Sequence, residues 1–103
     1  MEALTINGVN IDLNEEGYFT NPSQWSREIA IELAKDANIE LTDKHFEVLE
    51  FLRAKHNQEV QLTIRKVGKS GIVDIKQFYA LFPGGPLKVS SKIAGIPKPV
   101  SCV

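Results

Sequence analysis

The chain has 103 residues, 43% of them hydrophobic and 24% charged, enough for one core and too little for two. Its formal net charge of −1 gives the surface no general attraction for phosphate, so strong direct nucleic-acid binding is not expected. No apolar run approaches the roughly 20 residues that cross a bilayer, and residues 1–15 lack the basic start and apolar middle of a signal peptide. A cytoplasmic protein without membrane contact is therefore expected, and its lone cysteine excludes an internal disulfide framework.

In chain order, Leu4 and Ile6, then Val9, Ile11 and Leu13, alternate with polar residues around Asn7-Gly8. That pair favours a type I′ turn, so a β-hairpin is expected, resting on helices because a lone hairpin is marginal in water. Asn21-Pro22 starts a first helix whose apolar members, Trp25, Ile29, Ala30, Leu33, Ala34 and Ala37, recur at helical spacing. An aromatic in such a stripe is read as packing, so Trp25 is assigned to the core. Thr42 caps a second helix to about Asn57, with Val48, Leu49, Phe51 and Leu52 on a broad apolar face expected to be the most buried. A short basic helix follows from Gln61 to Lys69, carrying Arg65, Lys66 and Lys69.

Asp74 caps a fourth helix to about Phe82, with Ile75, Phe78, Tyr79, Leu81 and Phe82 as its apolar set. Pro83-Gly84-Gly85-Pro86 breaks it, and a fifth helix covers about Leu87 to Ala94, with Lys88 and Lys92 as an i, i+4 basic pair on its exposed side. The expected fold is therefore α+β and mostly helical: an N-terminal hairpin packed on about five helices, residues 1–95 as one domain, and residues 96–103 as a flexible C-terminal arm. No metal or cofactor is expected. His45 and His56 lie three helical turns apart, roughly 16 Å, too far to share an ion, and the two-glycine turn lacks the lysine and hydroxyl spacing of a phosphate loop.

The arm carries Cys102. Pro97 and Pro99 fix φ and forbid helix, so the arm is extended, and from Ile96 to Val103 it spans at most roughly 26 Å. A thiol on such an arm can enter another protein's active site. Only the thiolate is a good nucleophile, and the adjacent terminal carboxylate disfavours it, so a nearby cation is required; Lys88, Lys92 and Lys98 are the local candidates.

The run LFPGGPLKVSSKIAGIPKPVSCV resembles the C-terminal signature of the DsrC/TusE family of sulfur carriers. Leu81, Phe82, Pro83, Gly85, Pro86, Lys88, Lys92, Ile93, Ala94, Gly95, Pro97, Lys98, Pro99 and Cys102 fall on that pattern in register. Weaker similarity covers EEGYFTNPSQW, LTDKHFEVLEFLR and TIRKV, where Arg65 falls on a family arginine. The chain is shorter than the family around residues 57–75. The two-cysteine DsrC pattern also has a cysteine eleven residues before the last, and 102 − 11 is Ser91 here, so the resemblance implies the single-cysteine, TusE-like type.

What the resemblance implies is a persulfide carrier rather than a stand-alone enzyme on a small molecule. Cys102 would accept sulfane sulfur from a sulfur-donor relay complex and pass it to a tRNA thiolation enzyme, toward 2-thiouridine. Arg65, Lys92 and Lys98 would dock the arm or stabilise the thiolate, and Gly95, Pro97 and Pro99 would set the arm's path. The alternative is an accessory or regulatory protein that binds a sulfite reductase or sulfur-oxidation complex without cycling a thiol. A helix-turn-helix reading of DNA through residues 62–82 is disfavoured by the absence of a basic recognition stripe.

Overall fold

The computed structural model describes residues 2–6 and 8–98, with side chains from Thr5 onward. The hairpin forms as an antiparallel pair, β1 (Glu2–Ile6) and β2 (Val9–Leu13), in the register Leu4 opposite Ile11 and Ile6 opposite Val9. Gly8 supplies a positive φ of 79° at the turn; Asn7, the other half of the expected type I′ pair, lies outside the described residues. Ile11 is the inward member of β2 and packs with Phe19 and Ile29, which answers the hairpin's need for a helix beneath it.

The single helix expected from Pro22 is instead a 3₁₀ turn over Pro22–Gln24 followed by α1 (Arg27–Asp36). Two caps compete in this stretch. Asn21 accepts from Ser23 N–H, while the Ser26 hydroxyl accepts from Ile29 N–H at 3.3 Å, so each starts its own element and Trp25 between them stays extended. Ala37 then falls beyond α1 and is exposed. Helix α2 (Asp43–Asn57) starts at Thr42 as expected. His45 accepts on Nδ1 from Thr42 N–H at 3.1 Å, which leaves its proton on Nε2 to donate to the Leu81 carbonyl at 2.9 Å. This histidine is a buried structural tie between α2 and the fourth helix.

Thr63 accepts from Lys66 N–H and so shortens the third helix, α3, to Ile64–Gly68, three residues later in its start than the expected Gln61. Helix α4 (Ile75–Leu81) is capped by Asp74, and α5 runs over Pro86–Ile93. Phe78 and Phe82 are fully buried, but Ile75 and Tyr79, expected among the apolar contacts of α4, are 45% and 50% exposed. A helix of seven residues presents one narrow stripe, and Phe78 with Leu81 and Phe82 fill it.

The most enclosed helix is α5 rather than α2. It packs on α1, α2 and α4 and buries Pro86, Leu87, Ser90, Ser91 and Ile93 in eight residues. Val48, Leu49 and Leu52 of α2 meet it in one core with Ala30, Ala34, Phe78, Phe82 and Leu87. The last helix before the cysteine is thus held on three sides. Among the described residues, no helix is long and apolar enough to cross a membrane.

Candidate functional site at the root of the C-terminal arm

The end of α5 decides where the arm leaves. Gly95 takes φ +69°, its N–H donates to the Lys92 carbonyl at 3.3 Å, and Ile96 N–H donates back to the Ser91 carbonyl at 3.2 Å. This is a Schellman closure, which turns the chain sharply and throws the following residue against the helix. Ile96 is that residue, and it is 1% exposed. Although counted with the arm by sequence, it belongs to the core, and Pro97, half-buried, is the first residue to emerge.

Two side chains from distant segments hold this turn. The Trp25 indole N–H donates to the Ile93 carbonyl at 2.7 Å, and its ring lies so close to Gly95 that an added Cβ would sit 2.5 Å from Trp25 Cδ1. Arg53, from α2, stacks its guanidinium 4.4 Å from the Trp25 ring centroid. Its Nη1 donates to the Ala94 carbonyl at 2.8 Å, with a longer contact to Gly95 O, and its Nη2 donates to the Pro22 carbonyl at 3.0 Å. One planar fork therefore ties the end of α5 to the 3₁₀ turn. Burial lowers the Arg53 pKa from the ordinary guanidinium value, and it remains a cation because arginine does not deprotonate in proteins.

Beyond the turn, Lys98 Nζ meets the Glu16 carboxylate at 2.8 Å, linking the arm's root to the loop after β2. The hydrogen bond from Lys98 holds the Glu16 carboxyl below its usual range, against an opposing desolvation, with further help from the positive charges of Lys98, Lys88 and Lys92. The pair is therefore intact above the ordinary glutamate pKa and is lost as pH falls through the lowered value. Lys92 is half-buried, with its ammonium 5.2 Å over the Tyr18 ring, rather than on the open face expected for it.

The predicted site residues thus divide. Gly95, Pro97 and Lys98 form the root of the arm, and Lys92 adds its charge to the same side. Arg65 stands apart on α3, exposed, and among the described residues it makes no hydrogen bond or ion pair with the root. A link exists nonetheless. The groove beside the root, about 340 Å³, has Val60 and Leu62 in its wall together with Ile96, Pro97 and Lys98, and the same two residues line the next groove, which holds Arg65. Pro99 and Cys102 lie outside the described residues.

Arg53 and the polar role of Trp25 are what the sequence reading missed. A signal was present: Arg53 falls four residues after Leu49 and seven after Phe46, a cation placed in the apolar stripe of α2, where a charge needs a built partner.

The fold has counterparts among known proteins. The family described as DsrC like protein matches residues 5–103. The chain belongs to the DsrC family. Among curated relatives of this family, the Sulfurtransferase TusE of Photorhabdus laumondii is 34% identical over 111 residues, covering all of both chains. Among DsrC structures, that of Allochromatium vinosum DsrC superposes with a TM-score of 0.85 at 32% identity, covering 99% of this chain and 98% of that one. The oxidized gamma-subunit of the dissimilatory sulfite reductase (DsrC) from Archaeoglobus fulgidus gives 0.84 at 32% identity, over 99% and 100%. With one cysteine in its sequence, this chain is a TusE-like member of the DsrC family.

Position 91, where the two-cysteine DsrC pattern places its other thiol, shows what a serine does there. Ser91 is fully buried in α5, and its hydroxyl has no hydrogen-bond partner among the described residues. An unpaired buried hydroxyl is a net cost, and alanine is the better helix former. Ser91→Ala is expected to raise stability by about 1 kcal/mol, read from urea unfolding midpoints; a lowered midpoint would show that the hydroxyl has a partner after all.

Proposed function

We propose that this protein is a sulfur-transfer carrier in which Cys102 is the only covalent residue. The observation that carries the reading is the built root of the arm: a Schellman turn pinned by Trp25 and Arg53, seven residues before the chain's single cysteine, 102 − 95. The relatives' name, sulfurtransferase, agrees with it.

The chemistry is an exchange at sulfur. The Cys102 thiolate attacks the terminal sulfur of a donor persulfide; a new S–S bond forms on Cys102, the donor's S–S bond breaks, and the donor leaves as a thiolate. An acceptor thiolate then repeats the step on the Cys102 persulfide. No electron is gained or lost overall. From Lys98, four residues of fully extended chain let the sulfur reach at most about 14 Å. Lys92 and Lys98 supply positive charge along the arm, Arg65 stabilises the thiolate or persulfide from the edge of the adjoining groove, and Pro97 and Pro99 keep the arm extended.

The donor is a persulfide relay complex and the acceptor a tRNA thiolation enzyme, in keeping with the TusE relatives, and a cytoplasmic, reducing compartment keeps the thiol free. Incubation of the reduced protein with a persulfide donor is expected to add the mass of one sulfur atom, absent from Cys102→Ser. An unmodified wild-type mass would refute the carrier reading and favour a non-covalent accessory of a sulfite reductase-type complex.

A further inference from the structure

Next to the groove at the root of the arm, and sharing Val60 and Leu62 with it, lies a groove of about 530 Å³ whose rim is formed by four cations, Lys55, Arg65, Lys66 and Lys69. Its floor is apolar, made by Phe51 and Leu62, and Lys55 extends over the Phe51 ring at 5.6 Å. No carboxylate lines it. Half of the eight cations elsewhere are in side-chain ion pairs among the described residues, Arg27–Glu50, Lys35–Glu32, Lys44–Glu47 and Lys98–Glu16. None of them includes a cation of the groove. A chain of net charge −1 thus concentrates four of its 12 basic residues, without partner carboxylates, around one apolar trough.

We propose that this groove docks an acidic, leucine-rich segment of the partner protein that exchanges sulfur with Cys102. Charge complementarity selects an anionic occupant, because four unneutralised cations repel one another until an anion arrives. The apolar floor selects a peptide rather than a nucleic-acid backbone, since phosphates offer nothing to Phe51 and Leu62 while a leucine side chain does. Its position supplies the reason for the site. Val60 and Leu62 form a wall common to this groove and the one at Ile96, Pro97 and Lys98, so a segment held here brings its protein within reach of the arm. The steering is electrostatic and the final grip is apolar. This inference rests on the carrier reading for its purpose, but its binding can be measured independently.

The test uses the full chain and a dye-labelled peptide of alternating glutamate and leucine pairs. Its affinity is expected to weaken about tenfold between about 50 mM and about 300 mM salt, as the charges are screened. Lys66→Glu combined with Lys69→Glu is expected to weaken it about 30-fold, and Lys35→Glu, on α1, less than about twofold. Both groove lysines are exposed, and the Gln61 carbonyl that Lys66 Nζ meets at 2.6 Å belongs to an exposed residue that water can reach, so the double variant is expected to keep the circular-dichroism melt of the parent. Equal binding of a glutamine-and-leucine peptide, unchanged binding by the double variant, or displacement by an equal amount of an RNA oligonucleotide would each overturn the proposal. So would tenfold tighter binding after removal of residues 99–103, which would assign the groove to the chain's own arm. Sulfur loading is followed on the same samples: loading without peptide binding overturns the docking site alone, and peptide binding without loading overturns the carrier reading alone.

Discussion

Gly95→Ala is expected to destabilise the protein by about 2–4 kcal/mol, lowering the melting midpoint by about 10–20 °C. Two effects add. The residue holds φ +69°, a conformation that alanine enters only with strain. Its Cβ would also lie 2.5 Å from Trp25 Cδ1 and 2.8 Å from Trp25 Cβ, so the indole must retreat. Retreat breaks the bond from Trp25 to the Ile93 carbonyl and unseats the platform on which Arg53 rests. By contrast, Gly84→Ala meets no atom within 4 Å and carries only the strain of its φ of 89°. Thermal melts of the two variants separate strain alone from strain with collision. Equal losses would mean that Trp25 yields without consequence and that the turn is not pinned.

The second large effect belongs to Arg53. Arg53→Met keeps the length of the side chain and much of its packing on Trp25, yet leaves the Ala94 and Pro22 carbonyls without their donor. Each such group costs roughly 1–3 kcal/mol when buried and unpaired, so a loss of about 3 kcal/mol is expected. Lysine should not rescue it, because an ammonium cannot fork between two carbonyls and stack on an indole at once. The functional readout is separate from stability. With the turn loosened, alkylation of Cys102 by a small reagent should keep its rate, whereas sulfur transfer from a donor protein should slow, since only the latter depends on where the arm starts. Equal slowing of both would contradict a positioning role.

These residues also show how far the amino-acid sequence could be read. The hairpin, α2 and α4 with its cap, and the order of the remaining helices follow from local signals that agree with one another: Asn7-Gly8, Thr42, Asp74, and apolar residues at helical spacing. Local signals misled where two of them competed, as at Asn21 and Ser26, and where a later cap was available, as at Thr63. The site was legible only in part. Gly95 and Lys98, which the structure places at the arm's root, stand out by residue type and by the family pattern, as does Cys102, which lies outside the described residues. Arg53 joins carbonyls 41 and 31 residues away, at Ala94 and Pro22, and no local rule reports such a partnership. Ile96 was assigned to the arm because prolines follow it, but the Schellman turn draws it into the core before the prolines take effect.

The carrier account requires that sulfur leave Cys102 as readily as it arrives. Protein loaded with one sulfur, freed of donor and mixed with an equimolar thiol-bearing acceptor protein, should lose that sulfur mass as the acceptor gains it, within a single turnover and without added reductant. A loaded Cys102 that retains its sulfur while the acceptor mass stays unchanged would contradict the account.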